Sequence, residues 1–271
     1  MSVTRLTARH EPALEELLLC APATNLFLLN QLTSLGPAEQ PWYGVLEGER
    51  VVACAAVIPN RLLVPYAPHP EHAAHIGAAL RWRHRPCMVV GPRAASDALW
   101  SAWAPTTQHD RWYDQRLYVC DAPQTGPALE GFRRANPSDL EQVLVNADAM
   151  ESEDLGRSPL ADDPAGFREV VLKRITTGRT WVVARGGRVL FQVTLGVSTS
   201  FGTSLGGTFV PAEARGQGLA RAAMAELSRR VLPRLTRLVL HVNEANTPAV
   251  RTYEGAGYRK DAPFRLITVP R

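Results

Sequence analysis

The stretch Val210-Pro211-Ala212-Glu213-Ala214-Arg215-Gly216-Gln217-Gly218-Leu219-Ala220 decides how this chain is read. Before it, Gly207-Thr208-Phe209-Val210 has the apolar, β-branched character of a strand. After it, Leu219-Ala220-Arg221-Ala222-Ala223-Met224-Ala225-Glu226-Leu227 has the pattern of a helix. A strand that passes through a loop of small residues into a helix N-terminus offers unpaired backbone N–H groups, and such a terminus attracts anions. Gly216 and Gly218 can take positive φ and let an anion come close to the main chain, and Arg215 adds charge at the mouth. The spacing excludes two common nucleotide motifs. A P-loop requires GxxxxGK[ST], and no Lys is near; a dinucleotide fingerprint requires Gly where Arg221 stands.

A second motif lies downstream. Leu238-Val239-Leu240-His241-Val242 predicts a buried strand, and Asn246 is a good N-cap for the helix that follows. Pro248 fits only a first helical turn, and Gly255 and Gly257 stop the helix. Together, Arg215-x-x-Gly218-x-Ala220 and Asn246-x-x-Ala249…Tyr253-x-x-x-Gly257-Tyr258 resemble, in order and spacing, the pyrophosphate loop and last helix of the GNAT superfamily of acyl-CoA-dependent N-acyltransferases.

That resemblance covers roughly residues 129–271 and implies acetyl-CoA as cosubstrate, an amine acceptor, direct attack in a ternary complex, and no metal. It implies cosubstrate contacts at Phe209, Val210, Arg215, Gly216, Gln217, Gly218, Leu219, Ala220, Asn246, Ala249 and Tyr253. Backbone N–H groups at Phe209 and Val210 are the expected donors to the thioester carbonyl, because Pro211 has none. Tyr253 is the expected general acid for the leaving sulfur.

A base is also needed, since an amine with a pKa near that of Lys is mostly protonated at neutral pH. Glu151, Glu153 and Asp154, in an expected loop between two helices, are candidates, as are His241 and Glu244. The residues leave the choice open. The acceptor pocket is expected from residues 148–162 and 196–204. A second reading fits the same motifs: a non-catalytic acyl-CoA sensor whose N-terminal half is a regulatory surface.

Asp121-Ala122-Pro123-Gln124-Thr125-Gly126-Pro127-Ala128 has linker composition. The expected division is therefore a domain at 1–121, a linker at 122–128 and a catalytic domain at 129–271. In the second domain the expected order is β-α-α-β-β-β-α-β-α-β. Its parts are a strand at 129–134, a helix from a capping box at Ser138 to about Ala147, a helix from Pro164 to about Thr176, and a hairpin turning at Gly186-Gly187. A strand at 201–210, the loop and its helix follow, and a closing strand at 264–269 ends the order.

The first 121 residues follow a similar outline. Helices are expected at 11–19, 24–34, 72–80 and 94–103, and strands at 43–46, 51–58, 61–64, 87–90 and 115–120. Where the phosphate loop would fall, Ala67-Pro68-His69-Pro70-Glu71-His72 has no glycine and two prolines. This half is expected to be a degenerate unit that holds no pyrophosphate, as in the tandem GNAT proteins of mycothiol synthase and glycine-N-acyltransferase type. The fold class expected is α/β (α+β): two tandem GNAT-like units, each with a mixed, mostly antiparallel sheet flanked by helices.

Composition agrees with a globular protein: 271 residues, 45% hydrophobic, net charge +4. Only two of the 30 basic residues are Lys, and the basic residues are scattered. The short cluster Arg81-Trp82-Arg83-His84-Arg85 is a weak basis for nucleic-acid binding, which is not expected. No run is long and apolar enough to span a membrane, and residues 1–20 resemble neither a signal nor a transit peptide, so a cytoplasmic location is expected. Cys20, Cys54, Cys87 and Cys120 form no CxxC pair and are expected as free, mostly buried thiols. His69, His72 and His75 read as a solvated helix face. Oligomeric state is not legible.

Overall fold

The computed structural model describes residues 2–58, 62–81, 88–104, 109 and 111–269. In chain order the first half contains β1 (Val3–Arg5), α1 (Glu11–Leu19), α2 (Leu26–Ser34), α3 (Gly36–Glu39), β2 (Trp42–Glu47), β3 (Arg50–Val57) and β4 (Leu62–Tyr66). It continues with α4 (Pro70–Leu80), β5 (Met88–Pro92), α5 (Arg93–Trp103) and β6 (Arg111–Cys120). The second half contains β7 (Phe132–Arg134), α6 (Leu140–Leu155), α7 (Pro159–Asp162), α8 (Pro164–Thr176), β8 (Thr180–Arg185) and β9 (Arg188–Thr199). It ends with β10 (Gly202–Phe209), α9 (Leu219–Val231), β11 (Leu238–Asn243), α10 (Thr247–Gly255) and β12 (Arg259–Thr268).

These elements form two compact units that interleave in sequence. Unit 1 is Met1–Tyr118 with His241–Thr247 and Lys260–Arg271; unit 2 is Val119–Leu240 with Pro248–Arg259. The stretch read as a linker, 122–128, lies inside unit 2, where Arg229 donates to the carbonyls of Gln124 and Pro127.

In unit 1 the strands run in the order β1-β2-β3-β4-β5-β12-β6. The first four are antiparallel neighbours, β4 and β5 are parallel, and β5 and β12 are antiparallel. A parallel pair needs a crossover, and α4 supplies it. Unit 2 repeats the scheme in the order β11-β10-β9-β8-β7, with β10 parallel to β11 and α9 as the crossover. Both sheets are therefore mixed and mostly antiparallel, with helices beside them.

Each parallel pair is short. The β4–β5 register comprises Leu62↔Met88 and Leu63↔Val89, and the β10–β11 register comprises Thr203↔Leu238 and Ser204↔Val239. In unit 2 the remainder of β10 pairs with β9.

Each unit has its own core. Val45, Ala53, Leu63, Ile76, Leu80, Leu99 and Ile267 belong to one buried cluster in unit 1. Leu140, Val143, Leu144, Val171, Ile175, Val182 and Val189 belong to another in unit 2. Gly77 fits α4 against α5, since a Cβ there would stand 2.3 Å from the Leu99 carbonyl oxygen.

Several boundaries differ from expectation for physical reasons. Asn136 caps the 3₁₀ turn Pro137–Asp139 that leads into α6, accepting from the Ser138 N–H, while Asp139 accepts from the Asn136 N–H. That helix runs to Leu155 and stops at Gly156, whose φ of +66° is left-handed. Glu151, Glu153 and Asp154 are therefore helical, not in a loop. The strand expected from 129 is confined to Phe132–Arg134, and the acceptor-loop estimate of 148–162 takes in helical residues. The closing strand is longer than expected and joins unit 1.

His72 is 6% exposed, so it faces inward and the solvated-face reading is corrected for that residue. The helix carrying it begins at Pro70, and β1 was not anticipated because three residues carry no periodic signal. Cys20 is free and exposed, while Cys54 and Cys120 are free and buried. Cys87, Arg61 and the basic cluster from Trp82 to Arg85 lie outside the described residues.

Candidate functional site

The end of β10 is shaped by a bulge. Gly206 stands opposite Thr194 and Phe209 opposite Gln192, so β10 spends one more residue than β9 over this interval. Gly207 absorbs the irregularity with a φ of +63°. Just beyond it, the Thr208 side chain hydrogen-bonds the phenol of Tyr253 on α10. A glycine doublet within a strand is a signal for such a bulge, yet Thr208 itself carried no mark in the sequence.

After Pro211 the chain makes a 3₁₀ turn at Ala212–Ala214, and Gly216 (φ +77°) and Gly218 (φ +72°) follow. Gly218 caps α9, whose first main-chain bond runs from the Ala222 N–H to the Gly218 oxygen at 3.1 Å. The N–H groups of Leu219, Ala220 and Arg221 thus have no acceptor inside the helix. A Cβ at Gly216 or Gly218 would meet nothing within 4 Å. Open space in front of unpaired donors fits a pyrophosphate. Gln217 turns its amide toward the Glu213 carbonyl, at 3.5 Å.

Arg215 is committed differently from the expected free charge. Its Nε donates to the Val210 oxygen at 2.9 Å, and its Nη2 donates to both Glu153 oxygens at 2.8 and 3.0 Å. The guanidinium lies 5.4 Å from the centre of the Phe209 ring. It joins the end of β10 to the last turns of α6.

The acidic run on α6 separates into three roles. Glu153 is paired with Arg215, and Glu151 accepts from Arg157 at 2.9 and 3.1 Å. Asp154 follows them in the last turn of α6. Desolvation by the surrounding protein raises its pKa above the usual carboxylate range, and the charges of Glu151 and Glu153 raise it further. The residue is nonetheless exposed.

Tyr253 is buried, at 8% exposure. Burial raises its phenol, the Thr208 hydrogen bond opposes that, and the Asp154 charge raises it further. Tyr253, Thr208 and Asp154 therefore form one interacting set within unit 2.

Asn246 immediately precedes α10 and is exposed, and Ala249 lies in its first turn, half-buried. Asn246 belongs to unit 1 and Ala249 to unit 2. The two other base candidates are in unit 1. Glu244 accepts from Arg93 at 2.5 Å and from Arg116 at 2.8 Å. Desolvation works to raise this carboxyl, but the two guanidinium bonds outweigh it and hold it low, so Glu244 is a poor proton acceptor. His241 packs its ring 4.3 Å from Phe264. Desolvation lowers its pKa to about 4 although the residue as a whole is exposed, leaving the imidazole neutral and weakly basic.

The corresponding region of unit 1 lacks these features. The connection from β4 to α4 contains no glycine, and Pro70 removes a donor at the helix start. Between β4 and β5 a Cβ on Gly91 would lie 2.8 Å from the Pro65 oxygen, whereas one on Gly206 of β10 meets nothing within 4 Å. A cavity of about 300 Å³ does occur in unit 1, lined by Glu16, Leu17, Cys20, Arg50, His69 and His72 among others. It holds no donor loop. Among the described residues no group of three or more His, Cys, Asp or Glu is arranged to hold a metal, and no helix is long and apolar enough to cross a membrane.

Comparison with known proteins agrees with this geometry. Residues 192–266 match the family described as FR47-like protein, a span that takes in β10, the glycine loop, α9, β11 and α10. Solved structures carry the likeness over the whole chain. A GNAT-family acetyltransferase from Colwellia psychrerythraea is 12% identical over 100% of both chains, with a TM-score of 0.60. A GCN5-related N-acetyltransferase from Sphaerobacter thermophilus is 17% identical over 98% of this chain and 94% of its own, with a TM-score of 0.66. A tandem GNAT protein from the clavulanic acid biosynthesis pathway is 15% identical over 100% and 99%, with a TM-score of 0.55. No curated protein matches the chain in sequence. The fold is that of the GNAT acetyltransferases, in its tandem form.

Proposed function

We propose that the chain is an N-acyltransferase whose working site is in unit 2, transferring an acetyl group from acetyl-CoA to a primary amine of a small molecule or peptide. The observation that carries this reading is the donor loop: two left-handed glycines leading into the unpaired N-terminus of α9, with open space before them. Leu219, Ala220 and Arg221 would hold the pyrophosphate through their N–H groups. The bulged end of β10 would turn main-chain donors near Phe209 and Val210 toward the thioester carbonyl. Ala249, in the first turn of α10, would contact the pantetheine.

Asp154 is the best-suited base of the candidates. Desolvation, with the neighbouring charges of Glu151 and Glu153, makes it a stronger proton acceptor than an ordinary Asp. It would accept a proton from the incoming ammonium, freeing the nitrogen to attack the carbonyl carbon. As the C–N bond forms and the C–S bond breaks, the nitrogen would release its second proton to solvent, and Tyr253 would give its phenolic proton to the departing sulfur and regain one from solvent. Acetyl-CoA supplies the acyl group, and no metal enters this scheme. The domain assignment that follows is one cosubstrate site per chain, with the N-terminal half as a degenerate GNAT-like unit.

The test is thiol release from acetyl-CoA in the presence of pooled amino acids, polyamines, aminoglycosides and peptides. Turnover with at least one pool, and one mole of CoA bound per chain by calorimetry, is the expected outcome. Measurable CoA binding with no turnover in any pool would instead favour a sensor.

A further inference from the structure

The cavity of unit 1, at about 300 Å³, stands at the lower end of the range of small-molecule sites, roughly 300–1,000 Å³. It lies where α4 begins, at the connection that in unit 2 carries the glycine loop. Its walls come from α1 and its C-cap, from the β2–β3 hairpin, and from the approach to α4.

The hairpin wall carries opposite charges side by side. Glu47 and Arg50 face each other across the strand pair, and both border the cavity. Opposite charges in this arrangement ordinarily pair. Among the described residues neither of them enters an ion pair. Glu16 of α1 adds a second carboxylate.

The wall at α4 carries a buried polar group. His72 is 6% exposed, and its Nδ1 has no hydrogen-bond partner among the described residues. A buried nitrogen left unpaired costs free energy, and a ligand bringing an N–H donor would supply the missing bond.

These groups select a ligand by charge. A phosphate would meet two carboxylates, and the start of α4 has little to offer it: Pro70 lacks an N–H, and the His72 N–H is bonded to the His69 oxygen at 3.1 Å. A simple amine would leave Arg50 unmatched, and a simple carboxylate would leave Glu16 and Glu47 unmatched. An α-amino acid has both charges on one carbon, as the hairpin has both on facing residues. Leu17, Val51 and Val52 offer apolar surface for an aliphatic side chain.

We propose that this cavity binds a free α-amino acid with a small aliphatic side chain. Arg50 takes the carboxylate, Glu47, Glu16 and His72 take the ammonium, and the apolar residues cover the side chain. The site is separate from the donor loop of unit 2 and stands whether or not the acyl-transfer reading does.

Cys20 can report occupancy, because it is free, exposed and borders the cavity. In the full-length protein its alkylation by iodoacetamide is followed by peptide mass spectrometry, which separates it from the other cysteines. L-Valine should slow the reaction in proportion to the empty fraction, by about tenfold at ten times its Kd. Isobutylamine and isovalerate, which are valine without the carboxylate and without the ammonium, should need concentrations at least about tenfold higher. Arg50→Ala and Glu47→Gln should raise the valine concentration for half-protection by about tenfold or more. Both side chains are exposed at the end of a hairpin, so these variants should fold. The comparison of valine with its two analogues needs no variant.

Absence of protection by L-alanine, L-valine and L-leucine overturns the proposal. So does protection by isobutylamine or isovalerate at the valine concentration, or an unchanged half-protection in Arg50→Ala.

Discussion

Asp154, Glu153 and Glu151 are three carboxylates within four positions of one helix, and their partners decide what each can do. Glu153 accepts from Arg215 and Glu151 from Arg157. Asp154 instead sits where desolvation and two like charges favour its protonated form. The sign is clear: the base form of Asp154 is lost at a higher pH than that of an ordinary Asp. The kcat/KM profile should therefore fall on its acid side with a midpoint above that of an ordinary Asp. Asp154→Asn should remove that limb and lower kcat/KM by roughly 10²- to 10⁴-fold. An Asn variant that retains full kcat/KM and the same limb would transfer the role to another group or to water. The sequence could nominate the acidic run but could not choose within it, since the choice depends on Arg215 and Arg157 reaching particular members.

At the scale of elements, the donor loop was legible because its requirements are local. Positive φ calls for glycine, an open helix start calls for small residues, and both appear in consecutive positions. The length of α6 was not legible. Glu151-Ser152-Glu153-Asp154 has the polarity of a loop, and its helicity comes from continuation of a packed helix to Gly156. The loop yields a prediction of its own. Gly218→Val would put a β-branched residue at φ +72°, strained by roughly 1–3 kcal/mol, without striking any atom within 4 Å. The fold should survive while the N-terminus of α9 loses its geometry, so affinity for CoA should fall by about tenfold or more by calorimetry. Gly218→Ala should fall less. Equal affinity in wild type and the Val variant would move the pyrophosphate away from this loop.

On the scale of the whole molecule, two similar halves were readable from the repeated order of helices and strands, but the exchange of segments between units was not. Periodicity identifies a strand and its buried face; it does not say which distant strand it will pair with. β12 follows α10 in sequence, yet it is antiparallel to β5, with Phe264↔Pro92 and Thr268↔Met88 in register. Arg265, 7% exposed, is bonded to Asp97 of α5 at 2.7 and 3.0 Å, an arrangement no local pattern announces. Cutting the chain at 128 would therefore remove a core strand from unit 1. Phe264, Leu266 and Ile267 are all buried, and burying each is worth roughly 1.5–3 kcal/mol. That loss is comparable to the whole net stability of a typical domain, roughly 5–15 kcal/mol. Asp97 would also lose the guanidinium that holds it. Fragment 1–128 expressed alone should therefore be insoluble or lack a cooperative unfolding transition. Coexpression with fragment 129–271 should recover a soluble complex of the two, because β12 can still reach β5 from a separate chain. A folded, monomeric 1–128 with a sharp transition would mean that unit 1 does not depend on its borrowed strand.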